Sequence, residues 1–282
     1  MSTQAEQGTA GRSEETGVTG PCPSSPPAGP YVRVEQVMGT MVSIDLRGRP
    51  ADTAAAGADH VLEWLHEVDA VFSTYRPDSV ISRINSGELT RGHVGGDVAW
   101  VLGRCEELRR ETGGFFDMRA GGSLDPSALV KGWAVQRAAD DLTRRGFTDF
   151  CLSAGGDVVC RGGRGPGLGW RIGIQHPYDR DAVAAVLHAT DLAVATSGTY
   201  ERGSHIIDPH TRRAPVEVVS VTVCGPDLGT ADAYATAAFA MGREAAVWTL
   251  GLDGYEAMTV LEDDTVLTTP GFPLADPGQG AR

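Results

Sequence analysis

The order in which two periodicities appear along the chain constrains its fold most. Up to Gly146 the apolar residues recur mainly at helical spacing, whereas from Asp149 onward they fall in short strand-like segments. Val61, Leu62, Leu65, Val68 and Phe72 mark a helix over 51–72. Val98, Val101, Leu102, Cys105 and Leu108 mark a second over 97–112, stopped by Gly113-Gly114. A third begins with Asp125 as N-cap and Pro126 at the first position, runs through Leu129, Val130, Trp133 and Ala138 to Leu142, and ends at Gly146. Strand-like segments follow at 150–153, 158–161, 170–175, 183–188, 192–196 and 218–224. Such blocks predict an α+β fold rather than a doubly wound parallel sheet.

The remaining segments fit the same class. Residues 31–37 and 41–47 read as strands paired around Met38-Gly39-Thr40, and a short segment lies at 81–85. Helices are expected at 230–241 and 244–250, then a terminal hairpin of 257–261 and 265–268. Residues 1–29 are rich in Gly, Ser, Thr, Pro and Glu without an apolar h-region, so a disordered tail is expected there. The folded domain is expected over 30–275 and a flexible end over 276–282. No apolar stretch is long enough to span a bilayer. Five cysteines, odd in number and without a CxxC pair, suit a reducing compartment, and a cytoplasmic location is expected.

Charge narrows the chemistry. A formal net charge of -13 argues against nucleic acid, whose phosphates need clustered positive charge. Of 24 basic residues only Lys131 is lysine. Either an arginine-biased genome left one behind, or a compact ammonium is needed where a planar guanidinium fits differently. Asp232 and Thr236 stand four apart on a helix, so both oxygens leave one face. That spacing suits a hard cation such as magnesium; it equally suits an acidic first turn and a Thr bonding back to its own chain. Asp125, Ser127, Ala128 and Lys131 occupy first turns, where amides and an ammonium suit phosphate oxygens, or simply form a capped helix with a solvated lysine. Gly155-Gly156-Asp157 and Thr196-Ser197-Gly198 are sites of close ligand approach or plain turns. Tyr75 offers a ring for stacking on a flat heterocycle, or packs at a rim. His205 is a candidate general base or a structural histidine; His60, His66, His93, His176, His188 and His210 lack a comparable setting.

In their order these motifs resemble the ApbE family, the FAD:protein FMN transferases. The matching pieces are Met38-Gly39-Thr40; Phe72-Ser73-Thr74-Tyr75-Arg76-Pro77-Asp78-Ser79 with Ile81-Ser82-Arg83-Ile84-Asn85; and Thr112-Gly113-Gly114 with Phe116-Asp117. They continue with Leu124-Asp125, Lys131-Gly132-Trp133-Ala134-Val135, Ala154-Gly155-Gly156-Asp157, Thr196-Ser197-Gly198, His205-Ile206-Ile207-Asp208-Pro209 and Asp232-Ala233-Tyr234-Ala235-Thr236-Ala237. The chain departs from the family pattern at Met118, Gln136, Ser153 and Arg212.

The resemblance implies one T-fold-like flavin transferase domain of α+β class, with mixed or antiparallel sheets and packed helices. It implies FAD as substrate and Mg2+ at its diphosphate. Met38 and Tyr75 would contact the flavin side, and Phe115, Phe116 and Asp117 would line the cofactor site. Asp125, Lys131 and the backbone near Ile206 would hold the rest of FAD. Asp232, Thr236 and an oxygen of Ala128 would bind the metal. Lys131 and His205 would serve catalysis, His205 by accepting a proton from a Ser or Thr of a target flavoprotein, whose acceptor motif enters as an extended segment. The competing readings are a Mg-dependent FAD diphosphatase, with water in place of that hydroxyl, and a non-catalytic FAD-binding protein.

Overall fold

The computed structural model of the chain describes residues 29–199 and 206–275. The expected tail, apart from Gly29, the end at 276–282 and the candidate base His205 lie outside the described residues.

Tyr31–Val37 (β1) and Thr40–Leu46 (β2) form a hairpin whose two linking residues, Met38 (φ 53) and Gly39 (φ 69), are both left-handed. That backbone matches the twist of the flanking strands and draws Thr40 into β2, one residue earlier than the spacing predicts. Three helices follow: Ala51–Phe72 (α1), Val80–Asn85 (α2) and Gly96–Glu111 (α3). Ser127–Arg144 (α4) starts with Pro126 as its cap residue, so Asp125 stands one place further out than expected. Its carboxylate still accepts the Ser127 N–H at 3.0 Å, which serves one of the helix's open amides.

Phe150–Ala154 (β3), Asp157–Arg161 (β4), Trp170–Gln175 (β5), Val183–Ala189 (β6), Leu192–Gly198 (β7) and Val218–Gly225 (β8) come next. Leu228–Ala240 (α5) begins two residues before the expected start, because Asp227 accepts the Thr230 N–H at 2.7 Å as N-cap. The expected helix at 244–250 is instead a four-residue helix, Ala245–Trp248 (α6), between two 3-10 turns. Glu256–Leu261 (β9) and Val266–Thr268 (β10) complete the order.

The main sheet runs β1-β2-β3-β4-β7-β8-β9-β10, and β5-β6 form a second, two-stranded sheet. Every named pairing is antiparallel. Period-two alternation divides the strands between two cores. Val159, Ala193, Ala195, Val221, Val223 and Ala257 join the apolar faces of α1, α4 and α5, whereas Val158, Cys160, Val194, Cys224, Met258 and Val260 join β5 and β6. With both faces covered, β8 is buried at all eight positions, which is why its sequence reads as a continuous apolar and small-residue run.

Candidate active site

The site is built on the crossing of α4 and α5. A Cβ at Gly132 would lie 2.5 Å from the Leu228 carbonyl oxygen and 3.0 Å from Asp232 Cβ, and one at Gly229 would lie 3.2 Å from the Trp133 backbone. Glycine at both places lets the two helices meet backbone to backbone. Gln136 locks the crossing: its Oε1 accepts the Leu228 N–H at 3.0 Å, while its Nε2 donates to Asp140 at 2.9 Å. The departure from the family pattern at this position thus supplies a neutral amide that uses both its acceptor and its donor.

This approach brings Asp232, only 3% exposed, against the first turns of α4. Its Oδ2 accepts the Gly132 N–H at 3.2 Å, and its Oδ1 lies 3.9 Å from Lys131 Nζ. Lys131 also meets Asp157, with Nζ 2.7 Å from Oδ2. Asp157 opens β4 behind Gly155 (φ 56) and Gly156 (φ 92), and it is completely buried. Its Oδ1 accepts the Thr196 N–H of β7 at 3.2 Å. One residue on, Ser197 Oγ lies 3.4 Å from Thr236 Oγ1. Four elements therefore converge here: α4, β4, β7 and α5. Asp157 and Ser197 were absent from the expected site residues; the glycine-rich turn and the Thr-Ser-Gly motif were the signals that marked them.

Two buried carboxylates and one ammonium sum to a charge of -1, and the Thr236 hydroxyl and the Ala128 carbonyl add neutral oxygens on the same two helices. Hard oxygens around a locally negative centre fit a small divalent ion that keeps several waters. Among the described residues no cluster of three or more His, Cys, Asp or Glu is arranged for metal binding.

The other expected residues stand in varied settings. The turn bearing Met38 packs on the Gly155 turn: Gly155 N–H donates to the Met41 carbonyl at 3.1 Å, and a Cβ on Gly155 would sit 2.6 Å from Thr40 Oγ1. Asn85 holds the segment before α4 through reciprocal 2.9 Å bonds with the Leu124 N–H and carbonyl. Asp125 is exposed, Ala128 and Ile206 are half-buried, and the Tyr75 ring is 90% exposed. Phe115 meets His210 edge to face, with ring centroids 4.6 Å apart, so a histidine set aside in the sequence stands beside an expected pocket residue. Asp117 accepts the Arg119 N–H at 2.8 Å and faces Arg109 at 3.4 Å. At 1% exposure Phe116 belongs to the main core. Burial pushes the Asp208 carboxyl up, but bonds from Thr211 and from the His210 and Thr211 amides prevail and hold it below its ordinary range.

The chain matches the model of the ApbE family over residues 38–122 and 119–259. It is 39% identical over 132 residues to the FAD:protein FMN transferase of Vibrio cholerae, a match covering 43% of this chain and 39% of that protein. It is 25% identical to the FAD:protein FMN transferase of Treponema pallidum, over 86% of this chain and 87% of that one. Among solved structures it is similar to the flavin transferase ApbE from Vibrio cholerae, with TM-score 0.77 and 26% identity, covering 88% of this chain and 99% of that one. The ApbE protein of Thermotoga maritima shares the fold, with TM-score 0.75 at 23% identity over 86% of this chain and 97% of that one.

Proposed function

The chain belongs to the ApbE family, and from that premise we propose that it transfers FMN from FAD to a Ser or Thr hydroxyl of a target flavoprotein, releasing AMP. The observation that carries this reading is the meeting of Lys131, Asp157 and Asp232 beside the crossing of α4 and α5, with Thr236 one helical turn on from Asp232 and close to Ser197. The Asp232 carboxylate, the Thr236 hydroxyl and the Ala128 carbonyl would hold Mg2+. When bound, the ion supplies neutralisation of the diphosphate oxygens and stabilisation of the AMP leaving group.

The chain's own residues would do the rest. The Lys131 ammonium and the open amides at the start of α4 hold phosphate oxygens. Asp125 and the backbone near Ile206 orient the adenylate side. Met38 and Tyr75 meet the flavin, and Phe115 and Asp117 line its pocket over the buried Phe116. His205 accepts the proton of the acceptor hydroxyl as that oxygen attacks the FMN-side phosphorus. The bond from this phosphorus to the bridging oxygen breaks, so AMP leaves with that oxygen and the flavin remains phosphoester-linked to the acceptor.

A reducing, cytoplasmic setting is part of this proposal, supported by an odd number of cysteines and no CxxC pair. No helix among the described residues is long and apolar enough to cross a membrane.

Co-expression with a candidate acceptor flavoprotein, followed by mass spectrometry of the acceptor, tests the proposal. FMN added to a Ser or Thr, and lost with Asp232→Ala, is the expected result. Release of FMN and AMP from FAD with no adduct on any acceptor would overturn transfer in favour of hydrolysis.

A further inference from the structure

We infer that Asp157 is a positioning residue: by anchoring Lys131 it keeps the Asp232 carboxylate available to a divalent cation. The inference rests on the proposed metal role of Asp232 and adds the device that protects it. Lys131 Nζ stands between two buried carboxylates, 2.7 Å from Asp157 Oδ2 and 3.9 Å from Asp232 Oδ1. Asp157 is the fixed partner. Its side chain is enclosed, its other oxygen is tied to the Thr196 N–H, and its backbone leaves a turn of two left-handed glycines. Asp232 has one oxygen on the Gly132 N–H, while the other faces the ammonium at the longer distance.

An ammonium and a divalent cation compete for that second oxygen, because each neutralises the same charge and they repel each other. The lysine stem is flexible and its three donors rotate freely. Without the Asp157 charge, Asp232 is the carboxylate of this pair that remains, and the ammonium is drawn onto it. The same geometry accounts for the one lysine in a chain whose other basic residues are arginine. A guanidinium presents a wide planar fork able to engage both carboxylates together, and would occupy Asp232.

The test is a titration of the full chain with Mn2+ alone, the free ion being followed by electron paramagnetic resonance. Mn2+ reports an oxygen site of this kind without FAD or turnover. The wild type should bind an ion that Asp232→Ala abolishes. Asp157→Asn should weaken binding at least about tenfold, and adding Lys131→Met to it should restore the affinity to that of Lys131→Met alone. Restoration by a second substitution is a result that simple structural damage at Asp157 does not produce. Unchanged affinity in Asp157→Asn, or a double variant as weak as Asp157→Asn, overturns the inference. Should Asp157→Asn fail to fold, Lys131→Arg takes its place: weakened Mn2+ binding is expected, and wild-type affinity refutes the idea. Absence of any Asp232-dependent Mn2+ binding in the wild type would remove the metal reading itself, an outcome distinct from insensitivity to Asp157.

Discussion

Replacing Gly132 by alanine should injure both stability and the site, and the size of the effect follows from one contact. The new methyl would lie 2.5 Å from the Leu228 carbonyl oxygen and 3.0 Å from Gly229 Cα. Both are backbone atoms, so no side-chain rotation relieves the clash, and α4 and α5 must separate. Overpacking of this kind costs about 1–3 kcal/mol. Alanine's better helix propensity returns about 1 kcal/mol, which leaves a net loss of up to about 2 kcal/mol and a Tm lower by up to about 8 °C. Gly103→Ala is the internal control, since Gly103 is also helical but has nothing within 4 Å of the added carbon. There only the propensity gain should remain, and Tm should rise slightly. Separation of the helices also lengthens the 3.2 Å bond from Gly132 N–H to Asp232, so Asp232-dependent Mn2+ binding should fall along with Tm. Differential scanning calorimetry of the two variants reads the comparison. Equal melting temperatures for Gly132→Ala and Gly103→Ala would refute the close-crossing argument.

Two further outcomes are expected. Stability should decline on the alkaline side: burial pushes Cys105, Cys151 and Cys224 from 9.0 to about 12, Cys160 to about 11, and Tyr255 from 10.0 to about 12. The unfolded chain loses these protons first, so their contribution is complete below pH 9 and drains away between about pH 9 and 12; thermal melts under reducing conditions that stay flat over this range would contradict it. Tyr75→Ala should leave Tm within about 1–2 °C of wild type, because its ring is 90% exposed and supports no core, yet it should weaken FAD binding measured by flavin fluorescence quenching. Unaltered FAD affinity would remove Tyr75 from the flavin site.

The α+β class was legible because it depends on contiguous residues. Val61, Leu65, Val68 and Phe72 declare a helix wherever that stretch is placed, and the two-residue turn at Met38-Gly39 sets its own hairpin. Element edges were less legible where one side chain shifts the boundary. Asp227 reaches forward to the Thr230 N–H and starts α5 early, while Pro126 rather than Asp125 occupies the cap of α4. Phe116 shows the same limit within a motif. Its neighbour Phe115 stays half-buried beside His210, but packing, which spacing does not reveal, draws Phe116 into the core.

Sequence by itself determined the fold class, most of the elements and the family, because periodicity, capping and motif order are properties of the chain read along its length. Tertiary structure alone decided that Lys131 on α4 meets Asp157 on β4 and Asp232 on α5, and that Ser197 on β7 approaches Thr236. Those pairs are distant in sequence, and they meet only because Gly132 and Gly229 let two helices touch while β4 and β7 pair beneath them. Coulomb attraction and hydrogen bonding act over a few ångströms of space, whatever the separation along the chain.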